Sequence, residues 1–154
     1  MTRLFTYALL PVLLMMVQGC SSRGGGKGEA AVPADFFVSV GKGGGFTGLW
    51  EGYRVTADGS VFRWKGRGPL ALADSVGQMG TEAVGQIWQM AQDEGMLVRT
   101  DSIAGNMTGY IRLEADSQAV ELRWPSTVGE LASPSPLERF YSFVLDLAVS
   151  VQDG

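Results

Sequence analysis

The chain has 154 residues, with 12 lysines and arginines against 16 aspartates and glutamates, a net charge of −4, one cysteine and no histidine. The missing histidine excludes Ser-His and Cys-His catalysis as usually built, and a His-ligated zinc site with them. The acidic balance comes without a basic block, so the phosphate neutralisation that drives nucleic-acid binding is missing and no nucleic-acid partner is expected.

In chain order, the first segment sets an address. Arg3 gives a positive start, and Leu4 to Val17 form an apolar run interrupted by Pro11. That run is shorter than the roughly 20 residues a membrane-spanning helix needs, so residues 1–19 read as a signal peptide. Val17-Gln18-Gly19-Cys20 closes it. This segment resembles the lipobox of bacterial lipoproteins. The resemblance implies cleavage before Cys20, a diacylglyceryl thioether on its sulfur and an acylated new amino terminus. Two or more acyl chains anchor a protein stably, where a single one is reversible. The membrane is therefore an expected partner, and the expected location is the bacterial cell envelope. Ser21, following the lipidated cysteine, favours the outer membrane over the inner one in a Gram-negative host. Residues 20–34 carry the lipid and a tether, with SSRGGGKGEAAVP as its flexible body; such a coil spans about 20 Å. The GGGKG within it lacks the spacing and following Ser/Thr of a phosphate loop.

One domain is expected over residues 35–154. Phe36–Gly41 opens with FFVSV and reads as a strand. Leu49–Thr56 and Val61–Lys65 read as the next two, joined through Ala57-Asp58-Gly59-Ser60. Asp-Gly between two such runs is a strong hairpin signal. Residues 66–80 hold four glycines and a proline and read as a connection. Thr81 is the expected cap of a helix over Glu82–Glu94 closed by Gly95, with Val84, Ile87, Trp88 and Ala91 on one stripe. Met96–Arg99 reads as an optional short strand, and Gly105–Gly109 as a turn into a second hairpin. Its strands are Tyr110–Glu114 and Val120–Trp124, joined by a turn over Ala115–Ala119. Alternation puts Ile111 and Leu113 on one face of the first, and Val120, Leu122 and Trp124 on one face of the second. Ser135-Pro136-Leu137-Glu138 then offers a capping box ahead of a final helix. The order β-β-β-α-(β)-β-β-α gives an α+β fold, an antiparallel sheet of five to six strands with two helices on one face.

Nothing in this layout arms a nucleophile. Asp93 and Glu94 are adjacent on a helix and point about 100° apart. Asp58 and Asp116 are turn residues, and Ser102 has no base to activate it. No catalytic residue, cofactor or metal is expected, and the protein is read as not an enzyme. Most aromatic residues lie on elements with a partner face and are assigned to the core. Phe46 differs, since it sits between Gly45 and Gly48 where no periodic face demands it. It either plugs the end of the sheet or is presented to a partner. The candidate binding residues are accordingly Gly43, Gly44, Gly45, Phe46, Thr47, Gly48 and Trp50.

Gly44-Gly45-Phe46-Thr47-Gly48-Leu49 is similar to the Gly-Gly-Phe-Ala-Gly segment of emfourin-like proteins, small bacterial inhibitors of thermolysin-type metalloproteases. The order of elements over residues 36–151 resembles theirs loosely, as it does small domains of other bacterial lipoproteins. The chain differs in its lipid anchor and in the Asp58-Gly59 hairpin. The resemblance implies a non-catalytic binding module, with a protease as the expected protein partner. The alternative expectation is a structural or assembly lipoprotein that docks through its sheet face.

Overall fold

The computed structural model describes residues 31–69, 71–126 and 133–152. The expected signal peptide, Cys20 and most of the tether lie outside the described residues. Six strands, β1 (Phe37–Gly44), β2 (Leu49–Thr56), β3 (Ser60–Gly66), β4 (Ala73–Gln78), β5 (Met107–Ala115) and β6 (Gln118–Pro125), form one sheet. Two helices, α1 (Thr81–Asp93) and α2 (Pro136–Gln152), complete the fold. The strand order is β4-β3-β2-β1-β5-β6, and every neighbouring pair is antiparallel. The α+β class and the antiparallel sheet are as the alternation and capping signals required.

Directly paired residues on antiparallel strands point to the same side of the sheet. Register therefore puts Val38, Val55 and Val61 on one face together with Leu113, and Val40 with Ile111 and Leu122. All of these are buried. Onto this face pack Val84, Ile87, Trp88 and Ala91 of α1, the stripe expected from helical spacing, and Leu137, Phe140, Val144 and Ala148 of α2. Each large aliphatic or aromatic side chain so buried contributes about 1.5–3 kcal/mol. The helices leave one end of the face uncovered, the end where β1 turns into β2.

Four local expectations are corrected. The connection over 66–80 contains β4, which pairs with β3 across a register shift between Val61 and Phe62. The stretch Met96–Val98 is a 3-10 turn and not a strand. Gly95 takes φ +64 and turns the chain so that Met96 is buried. On its other edge β6 is met by Ser102, through a parallel bridge with Arg123. Helix α1 is capped by Gly80 rather than Thr81, without a side-chain hydrogen bond. Its start is fixed just upstream, where the buried Met79 donates its N–H to Gly59 O at 2.7 Å. Finally, the second hairpin turns on Asp116-Ser117 alone, both at positive φ, instead of over Ala115–Ala119. The Asp35 carboxylate makes that turn hold by accepting both backbone N–H groups, at 2.9 and 2.8 Å.

Candidate functional site

The ladder between β1 and β2 runs to Gly44 and Leu49, leaving Gly45-Phe46-Thr47-Gly48 to reverse the chain. Gly48 donates its N–H to Gly45 O at 3.3 Å and closes the turn. Gly44, Gly45 and Gly48 take φ of +100°, +63° and +60°, a region that strains other residues. The glycines thus make the reversal, and Phe46 occupies the outward corner. Its relative exposure is 108 %. The plug reading is corrected here, because a tight glycine turn gives Phe46 no path back to the sheet end. Thr47 Oγ1 accepts the N–H of Leu49 at 3.3 Å, and Gly45 N–H donates to Asn106 O, tying the tip to the chain entering β5.

The candidate residues share this one hairpin end but divide between its two sides. Gly43 and Trp50 are paired and face away from the helices, with the indole lying over the glycine so closely that any Cβ there would collide with it. Trp50 is half-buried and stands edge-on to Tyr110, which stands edge-on to Trp64. Trp50 therefore supports the tip, and with Gly43 it also borders the depression beside Phe46. Trp64 itself lies on this second face, yet it is fully buried because its ring covers Gly41 and Gly52. Around Tyr110 the same face carries a charge-paired surface. Arg112 meets Glu114 at 2.7 Å, Arg123 meets Glu121 at 2.5 Å, and the Tyr110 hydroxyl donates to Glu121 at 3.3 Å. Burial foremost, then the Glu121 charge, pushes the Tyr110 hydroxyl well above its ordinary pKa.

On the helix side the tip borders an open depression of about 420 Å³, lined by Lys42, Phe46, Leu49, Met107 and Lys65 among others. Two further depressions of about 370 and 190 Å³ reach α2 at Tyr141 and Leu145. Lys42 borders all three. The Trp124 indole covers Gly109 and meets Tyr141 edge-on at 5.6 Å, making an aromatic wall. Burial, and secondarily the Glu51 carboxylate, pushes the Tyr141 hydroxyl up to about 12. Lys65 reaches Glu51 at 3.9 Å.

Neither a family model nor a curated protein matches this chain. Among the described residues, no group of three or more acidic, histidine or cysteine side chains is placed to hold a metal ion, and no helix is long and apolar enough to cross a membrane. The two lowered carboxyl pKa values belong to turns: Thr56 and Ser60 donate to Asp58, and the Ser117 and Asp116 N–H groups donate to Asp35. What the arrangement offers is a contact surface, an apolar projection beside a cationic depression. Sequence reasoning missed Lys42, Leu49 and Met107. Alternation through Val38 and Val40 could have found Lys42, as the next residue on the helix-facing side of β1.

Proposed function

We propose that this chain is a lipid-anchored lipoprotein of the bacterial cell envelope whose domain is a non-catalytic binding module. It engages a protein partner through the hairpin tip at residues 43–50, and the resemblance of that tip to emfourin-like proteins makes a protease the first partner to test. The observation that carries this reading is the complete exposure of Phe46 on a reversal that glycines hold in shape. A large aromatic side chain kept in water returns about 1.5–3 kcal/mol when a partner's pocket buries it. The lipobox at residues 17–20 supports the location. A tether of about 20 Å keeps the domain near the bilayer.

Capture of envelope proteins on the full chain, comparing wild type with Phe46→Ala, tests the reading. The expected result is a specific partner whose affinity falls about ten- to hundredfold in the variant, the equivalent of one buried aromatic anchor. Capture that survives Phe46→Ala would assign docking to the sheet face and a structural role instead. In parallel, inhibition of a thermolysin-type protease by the full chain is expected at micromolar concentration, and its absence removes the inhibitor version.

A further inference from the structure

The depression behind the tip has a charge opposite to that of the chain around it. It joins two neighbouring depressions at Lys42, and between the three, Lys42, Arg63 and Lys65 stand against two carboxylates, Glu51 and Glu138. Glu51 is shared with Lys65, and Glu138 accepts the Ser135 N–H at 2.8 Å in the capping box that starts α2. Lys42 and Arg63 make no ion pair among the described residues. The protein as a whole carries −4. At one end the depression meets the exposed Phe46 and Leu49, and at the other the Trp124 and Tyr141 rings. Apolar walls on both sides of an unpaired ammonium match an extended peptide with an acidic residue between apolar ones. The wall aromatics take the flanking side chains, and Lys42 takes the carboxylate as a charge-assisted hydrogen bond.

We propose that this groove, running from Phe46 across Lys42 to Tyr141, binds an extended, acidic-apolar segment of a protein partner. The inference rests on the binding-module reading and adds the chemistry of what is bound. A random decapeptide library displayed on phage tests it, panned against the full chain in detergent and again in phosphatidylcholine–phosphatidylglycerol nanodiscs. Enriched peptides are expected to carry Asp or Glu within three residues of Leu, Phe or Trp. Lys42→Ala is expected to weaken a selected peptide about tenfold, and Lys42→Glu to redirect the selection to Lys- or Arg-bearing peptides. Lys42 is exposed and without an ion pair among the described residues, so both variants are expected to keep the wild-type circular dichroism spectrum and melting point.

Enrichment without an acidic preference, an unchanged preference in Lys42→Glu, or no enrichment at all overturns the proposal. Peptides bound in detergent but displaced on the anionic nanodiscs would assign the groove to lipid, which also overturns it. The two readings fail separately. Capture of an envelope partner that needs Phe46 but ignores Lys42 sinks only the groove, whereas failure to capture any partner through Phe46 sinks the binding-module reading.

Discussion

Gly41 and Gly52 face each other across β1 and β2 beneath the Trp64 ring, and both are glycine because the ring occupies the space of a side chain. Adding a methyl at Gly52 would drive it into the indole and the Val40 carbonyl. Gly52→Ala is therefore expected to cost about 1–3 kcal/mol by overpacking. Gly68→Ala, in open space, should stay within about 0.5 kcal/mol. Urea unfolding midpoints of the two variants check the contrast. Titration provides a second test at this scale. Because the folded state raises the Tyr141 pKa, its contribution to stability is whole below pH 10 and fades as pH climbs to about 12. Absorbance of tyrosinate should show a component near pH 12 that Tyr141→Phe removes. The turn aspartates act in the opposite sense. Their lowered pKa values contribute stability above the ordinary 3.8 that is lost as pH falls through their folded values, so Asp58→Asn should flatten the acid limb of a stability–pH curve.

Elements were readable where a local signal and a partner face coincided. The capping box formed as its letters required, with Ser135 N–H donating to Glu138 and Glu138 N–H donating to Ser135 Oγ at 3.3 Å. Ser135→Ala should cost about 1 kcal/mol in thermal or urea unfolding. Both hairpins and the apolar stripe of α1 were legible for the same reason. Strand β4 was not, because Ala73-Asp74-Ser75-Val76-Gly77-Gln78 has little β preference of its own. Its extended form comes from pairing with β3, a tertiary fact that composition does not carry. The stretch after Gly95 failed in the reverse way. Met-Leu-Val has the letters of a strand, but after the left-handed glycine it winds into a 3-10 turn that buries Met96. At the tip, the sequence exposed the question about Phe46 without deciding it. The answer lay in where the ladder ends, at Gly44 and Leu49.

At the scale of the whole molecule, the sheet divides the domain into faces with different surroundings. One is filled by two helices except at its hairpin end, where Phe46, Lys42 and the aromatic wall stay open among the described residues. The other is closed by glycine-seated aromatics and by Arg–Glu pairs within β5 and within β6, which Arg112 also links across the two strands to Glu121. A partner would gain more from the unpaired end than from the paired face. That contrast is why the proposed binding module is taken to present this end to a neighbour. Photo-cross-linking in intact cells tests this most directly, with benzoylphenylalanine placed at position 46 or, on the paired face, at exposed position 119 of the full chain. The account predicts a discrete adduct with one envelope protein from position 46, recovered in the membrane fraction, and none from position 119. An adduct from position 119 alone, or only lipid adducts from position 46, would contradict it.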